Sequence, residues 1–289
     1  MKNSVKFVFF GTGGFATKVL EVLCQNGFTP ELVVTAPDKP KGRKMILMPS
    51  PVKIFADKNN IDFIQPEKLD GCQLSAVGYQ LFIVADYGKI IPKEILDIPK
   101  YGVLNVHPSL LPKFRGPSPI QSFILSSEEE TGVTIIKIDE EVDHGDIVVN
   151  SKFQIQNSKL YYKELEEKLA ELGGELLMKI IPDWIEGKIM AQKQDHSQAT
   201  FTKKITKEDG LIDLNEPAEN IVRKVRALTP WPGVYFFTNG KRIIITEVEI
   251  KDGKLVIKRV KPEGKNEMSY DDFLRGNKST DLKKYLETA

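Results

Sequence analysis

The chain has 289 residues, 41% of them hydrophobic, with 41 Lys plus Arg against 40 Asp plus Glu. That balance excludes a disordered tail, a collagen and a disulfide scaffold, and the length is that of two domains with room for a sizeable core. Cys24 and Cys72 belong to no Cys-x-x-Cys or Cys/His array, so they read as free thiols in a reducing compartment.

Taken along the chain, Val5 to Phe10 reads as a first strand. Its apolar run, Phe7 to Phe10, is too short for a membrane span and is followed by Gly11-Thr12-Gly13-Gly14 rather than a cleavage pattern, so a cytoplasmic protein is expected. Phe15 to Asn26 reads as a helix, Leu32 to Thr35 as a strand, Pro51 to Asn59 as a helix, and Leu81 to Ala85 as a strand buried on both faces. Val103 to Val106 and Val133 to Ile138 follow as strands. From Leu160 to Ile181, the apolar positions Leu165, Leu169, Leu172, Leu176 and Ile180 recur at helical spacing until Pro182 ends the run. This alternation predicts an α/β fold with a Rossmann-like, mainly parallel sheet and helices on both faces, filling residues 1–188. Residues 189–206 are polar and read as a linker. A helix at Ala218 to Ala227 and strands at Val234 to Thr238, Arg242 to Ile250 and Leu255 to Val260 predict a small β-rich domain over 207–289.

In open sheets of this kind, ligands lie beyond the carboxyl ends of the strands. The glycine turn at 11–14 lacks the later glycine of the dinucleotide fingerprint, leaving a phosphate cradle and a tight strand-to-helix turn as its two readings. More informative are Asn105 and His107, which share one face at the end of a strand. They offer an amide that donates to oxygen and an imidazole that holds a proton near neutrality. Pro108, Pro112, Pro117 and Pro119 stiffen the loop beyond them. The acidic run Ile138 to Ile147 lacks calcium-loop spacing and reads as a solvated turn, with Asp143 set apart as a partner for His107 if the loop lies beside it. His144 and His196 read as structural. No serine elbow or His-Glu-x-x-His occurs, so serine hydrolase and zinc protease readings have no support. Between Thr35 and Pro51, a basic tip with Lys39, Lys41, Arg43 and Lys44 leads into Met45 to Met48. It suits either a phosphate backbone with an apolar wedge against a base, or ordinary solvated charge.

These segments resemble the folate-dependent formyltransferases, most closely the branch that acts on methionyl-tRNA. The resemblance rests on NVHPSLLPKFRGPSPIQ at 105–121, GVTIIKIDEEVDHGDI at 132–147, PDKPKGRK at 37–44, MPSPVK at 48–53, FTKKITKEDGLID at 201–213 and RALTPWPG at 226–233. It implies formyl transfer from 10-formyltetrahydrofolate to the amine of initiator methionyl-tRNA through a tetrahedral intermediate, without a metal. The implied catalytic residues are Asn105, His107 and Asp143. Ser109, Leu110, Leu111, Pro112, Tyr87, Gly88, Ile91, Glu140, Glu141 and Val142 would contact the folate. Lys39, Lys41, Arg43, Lys44, Lys203, Lys204 and Lys207 would contact tRNA. A monomer and a shortened OB-type barrel at the C-terminus are also implied. An amino-sugar nucleotide or another small amine is the alternative acceptor. Pro108 after the catalytic histidine, and a chain between Ile250 and Met268 too short for the usual five-stranded barrel, depart from the tRNA branch.

Overall fold

The computed structural model describes residues 5–41, 45–69, 74, 78–126, 128–154, 160–277 and 282–285. The chain divides into two compact units, one of residues 1–119, 129–155 and 166–202, the other of residues 120–128, 156–165 and 203–289. Cys72 lies outside the described residues, and Cys24 is a free thiol.

The first unit holds β1 (Phe7–Gly11), β2 (Leu32–Val34), β3 (Lys39–Lys41), β4 (Ile46–Met48), β5 (Phe63–Ile64), β6 (Leu81–Ala85), β7 (Val103–His107), β8 (Glu130–Lys137) and β9 (Ile147–Gln154). Seven of these form one sheet in the order β5-β2-β1-β6-β7-β8-β9, and β3 and β4 pair as a separate hairpin. The first five strands of that order run parallel. All five residues of β1 and of β6 are buried, as strands covered on both faces must be. On one face Val8, Phe10, Phe82, Val84 and Val103 build an apolar cluster with Tyr87 and Ile91. Asn105 pairs in register with Val84, so the site residues continue the polar end of that same column.

Three expectations need correction. The strand expected at Val133 to Ile138 begins at Glu130 and runs antiparallel to β7. β9, a half-exposed strand on the far side of β8, was not anticipated, because Asn150, Ser151 and Lys152 interrupt its apolar residues. The long helix does not stop at Pro182 but spans Tyr162–Ile185. Proline removes one interior hydrogen bond, yet only one further turn follows it. That turn is held by Glu186 N–H donating to the Pro182 carbonyl at 3.1 Å and by the Trp184 indole N–H donating to the Tyr101 carbonyl at 2.9 Å.

In the second unit β10 (Val234–Thr238), β11 (Lys241–Lys251), β12 (Lys254–Pro262) and β13 (Met268–Ser269) form a four-stranded antiparallel sheet. Asn239-Gly240 and Asp252-Gly253, all with positive φ, make the two tight hairpin turns. The Ala218–Leu228 helix buries Ile221, Val222, Val225 and Leu228 in a core with Val234, Phe236, Ile243, Ile245 and Ile257.

Gly173 and Gly174 occupy the middle of the Tyr162–Ile185 helix, where alanine has the better helix propensity by ~1 kcal/mol. Close packing decides against it. A Cβ at 173 would lie 2.6 Å from Val106 Cγ1 on the back of β7, and one at 174 would lie 2.7 Å from Val22. Gly173→Ala is therefore expected to lower stability by about 1–3 kcal/mol, read as a reduced urea midpoint; an unchanged or raised midpoint would show that the contact relaxes freely.

Candidate active site

β7 ends in Asn105, half-buried, and His107, whose exposure is 4%. The loop after β8 brings Asp143 to both of them. Its Oδ1 lies 3.4 Å from Asn105 Nδ2 and 3.5 Å from His107 Nδ1, while Oδ2 accepts a hydrogen bond of 2.8 Å from the Gly116 N–H. One oxygen is thus anchored to backbone and the other is held by two long contacts, free to change partner when a substrate enters. His107 Nε2 donates to the Phe114 carbonyl at 3.1 Å, which fixes the ring and turns Nδ1 toward Asp143.

The backbone is bent to make this arrangement. Phe114 and Asp143 lie in the left-handed region, at φ 61° and 51°. An aspartate tolerates it; a phenylalanine adopts it only when its surroundings impose it. The imposing contacts come from residues 192–202. Phe114 N–H donates to Thr200 Oγ1 at 2.8 Å, Arg115 N–H to the Thr200 carbonyl at 2.9 Å, and Thr202 N–H to the Arg115 carbonyl at 2.7 Å. Gly116, at φ 110°, is so close that a Cβ would meet Thr202 Oγ1 at 2.8 Å.

Residues 5–181 match the formyl transferase family and residues 204–254 match the formyl transferase C-terminal domain. The methionyl-tRNA formyltransferase of Caldicellulosiruptor saccharolyticus is 40% identical over 94% of this chain and 96% of that protein. The chain belongs to the methionyl-tRNA formyltransferase family. The Thermotoga maritima member is also 40% identical, over 83% of this chain and 77% of its own. Among solved structures, the methionyl-tRNA formyltransferase from Clostridium thermocellum superposes with a TM-score of 0.61 at 18% identity, covering 89% of this chain and 98% of that one. An N-formyltransferase from Helicobacter canadensis, solved with folinic acid and dTDP-3-aminofucose, gives 0.63 at 21% identity over 88% and 95%. Likenesses at this identity show the shared fold.

The other positions expected at the site fall into three groups. In the loop after β7, Ser109 is fully buried and its hydroxyl donates to the Lys113 carbonyl at 2.7 Å, while its own carbonyl accepts from Thr134 Oγ1 at 2.7 Å. Leu111 N–H donates to the same Thr134 oxygen at 3.1 Å, with half-buried Leu110 and Pro112 on either side. Ser109 therefore shapes the loop from within. Beyond β6, Tyr87 and Ile91 are buried and Gly88 is exposed at φ 72°. The Tyr87 hydroxyl is buried without a hydrogen-bond partner among the described residues, and burial pushes its pKa up to about 12. A buried hydroxyl kept as a donor is a group that a polar ligand would satisfy. Glu140, Glu141 and Val142 are exposed, with Glu140 ion-paired to Lys93 at 3.0 Å.

Of the basic positions, Lys39 is exposed, the backbone of Lys41 lies in β3, and Arg43 and Lys44 lie outside the described residues. In the second unit Lys203, Lys204 and Lys207 are exposed, and Lys203 pairs with Asp209 at 2.8 Å.

Sequence reasoning missed Arg115, Gly116, Gln194, Thr200 and Thr202 as supports of the site. Arg115-Gly116 between prolines carried a usable signal, a cation and a flexible residue in a stiff loop. Gln194 and the threonines carried none, because a polar stretch reads alike whether it faces water or packs on a polar loop.

Asp86 was missed as well. It follows β6 at φ 44°, and a Cβ on Gly13 would lie 1.9 Å from its Oδ2. Its carboxylate takes the Gly13 N–H, so the glycine turn serves as a strand-to-helix turn whose amide is occupied by the protein's own acid. Water reaches one side of Asp86, but crowding by protein, with the charge of Glu166 adding to it, raises its pKa from 3.8 to about 7. The fold favours the protonated acid, so the contribution of Asp86 to stability falls as pH rises from about 4 to about 7 and is level above that. Asp86→Asn should flatten that slope in urea titrations run at pH 4.5, 6 and 8; an unchanged slope would assign it to other groups.

Proposed function

We propose that the chain transfers the formyl group of 10-formyltetrahydrofolate to the free amine of initiator methionyl-tRNA, in the cytoplasm. The observation that carries the reading is the meeting of Asn105, His107 and Asp143 around one point, from positions 38 residues apart, in a chain of this family. The acceptor amine nitrogen bonds to the formyl carbon, the bond from that carbon to the donor nitrogen breaks, and one proton passes from the acceptor nitrogen to the donor nitrogen.

The side chains fit those needs. As the amine adds, the formyl oxygen gains negative charge, and Asn105 Nδ2–H and His107 Nδ1–H are the donors available to it. Preset donors at such an oxygen contribute more than any other single factor in comparable acyl transfers. Asp143 Oδ1, released from its long contacts, takes the amine proton directly or through a water. No covalent enzyme intermediate is needed, since holding amine and formyl carbon together supplies a large part of the rate. The Tyr87 hydroxyl and the loop at 138–142 supply a polar tip and a wall for the folate ring, and the half-buried Leu110 and Pro112, in a loop that Ser109 shapes from within, supply an apolar edge.

The acceptor is decided by one assay. With 10-formyltetrahydrofolate as donor, methionyl-tRNA should be formylated and dTDP-amino sugars should not; the reverse outcome would assign the chain to amino-sugar nucleotides. Asn105→Ala and His107→Ala should each lower kcat on the order of 100- to 1,000-fold, with little change in folate affinity measured by fluorescence quenching. Arg43→Ala should reduce kcat/KM on tRNA and lessen its salt dependence while folate affinity stays near the wild-type value. Equal loss of both affinities would remove Arg43 from the tRNA interface.

A further inference from the structure

Around the loop that bears Asp143 lies a second set of buried polar groups that the chemistry above does not use. Gln194 is 5% exposed and Arg115 is 3% exposed. The Gln194 amide donates one N–H to the Asp143 carbonyl at 3.0 Å and the other to the Gly145 carbonyl at 2.7 Å. Its Oε1 accepts from Arg115 Nε at 3.2 Å and Nη2 at 2.6 Å. Both donors and both lone pairs of the amide are therefore in use. Arg115 Nη2 also donates to His196 Nδ1 at 2.8 Å, and the His196 ring stacks on His144 with centroids 4.0 Å apart and planes 4° off parallel. His144 Nδ1 in turn bonds Asp139 Oδ2 at 2.6 Å. Asp143, His144 and Gly145 are thus gripped from residues 194 and 196, which Arg115 holds, and Asp139 is tied in through His144.

The energetics of this cluster are informative. Arg115 has no carboxylate partner among the described residues, and a guanidinium buried among neutral acceptors is costly compared with an apolar side chain of the same volume. Its charge polarises the Gln194 amide, which strengthens the two N–H bonds to the loop carbonyls. Gln194 is itself placed by backbone pairing two residues earlier, where Gln192 and Ile147 exchange bonds of 2.8 and 2.7 Å at the start of β9. The residue after Arg115 supplies the N–H that anchors Asp143 Oδ2. Arg115, through Gln194, and its neighbour Gly116 thus hold the backbone and the carboxylate of the same aspartate.

We propose that Arg115 and Gln194 are positioning residues for formyl transfer: they hold the Asp143 loop so that its carboxylate faces Asn105 and His107 before substrates bind. The proposal rests on the assignment of Asp143 to the chemistry. Gln194→Glu separates the two halves of the device, because a carboxylate keeps the Arg115 pair but cannot donate to the Asp143 and Gly145 carbonyls. Gln194→Met removes both and is the second variant should the first fail to fold.

The expected result is a kcat on the order of 10- to 100-fold lower with KM for each substrate within about threefold of wild type, since misplacement of a reacting group acts on rate more than on binding. In an Asp143→Asn background the same change should cost less than about twofold, because a residue that acts through Asp143 has nothing further to lose. Hydrogen exchange should quicken at residues 139–146 and stay slow in β1 and β6. Additive losses across the two substitutions, or a fall confined to KM, would overturn the proposal. Should wild-type protein formylate an amino-sugar nucleotide instead of methionyl-tRNA, the acceptor reading fails, and the same cycle run with that acceptor still decides the role of Gln194.

Discussion

The site depends on a reversal of direction. β8 runs antiparallel to β7, with Lys137 opposite Leu104 and Thr134 opposite His107. The loop that follows β8 therefore leaves the sheet at the end away from His107, and Asp143 must be carried back by about 10 Å, the length of three strand residues, to reach the imidazole. Asp146 closes the base of that loop by accepting from Lys137 N–H at 2.9 Å, and Ile138 N–H donates to the Val103 carbonyl at 2.9 Å. Gly145 sits where a Cβ would lie 1.9 Å from the Lys137 carbonyl, so the loop is as tight as backbone allows. An unsupported carboxylate at the tip of such a loop would sample many positions, which is why so many polar groups converge on it.

Those groups also explain how a polar segment comes to lie against the loop that holds the buried imidazole. Residues 192–202 pair with the start of β9 and with the loop after β7, and nearly every polar atom they bring inward has a partner. A buried polar network is tolerable when all its members are satisfied and destabilising when some are not. Behind β7 the opposite requirement holds. Val106, on the face away from the site, lies so near Gly173 of the long helix that a Cβ there would be 2.6 Å from it, so the strand that carries Asn105 and His107 is pressed from one side by apolar packing and shaped from the other by hydrogen bonds.

The parts of this design that were legible in sequence are those that rest on periodicity or on covalent geometry. The Leu81 to Ala85 strand was readable to the residue because a strand covered on both faces tolerates almost no polar side chain. Asn105 and His107 could be placed on one face by counting in twos. Asp143 could be named only conditionally from its own surroundings, because the contact that matters crosses 36 residues from His107 and turns on strand direction, which side-chain patterning does not encode. The polar stretch at 189–206 illustrates the same limit. Gln194 and Thr202 look like solvated residues in a list, and only the fold reveals that they face carbonyls and amides rather than water. Pro182 misled for a different reason: a proline marks the loss of one hydrogen bond, and a tethered final turn can absorb that loss.

The β3–β4 hairpin bears on the size of the acceptor. Met45, Ile46, Leu47 and Met48 are exposed at 67%, 57%, 65% and 44%, on a two-stranded element that gains little stability from its own pairing. Four consecutive exposed apolar residues are disfavoured on a surface that meets only water and small solutes. Beside them stand Lys39 and, in sequence, Lys41, Arg43 and Lys44, so apolar and cationic surface occur within one short segment. A small amine held in a closed pocket would use neither. A nucleic acid uses both, since its phosphates attract the cations and an unstacked base at its end offers an apolar face. The hairpin therefore favours a macromolecular acceptor on physical grounds that are independent of the residues performing the transfer.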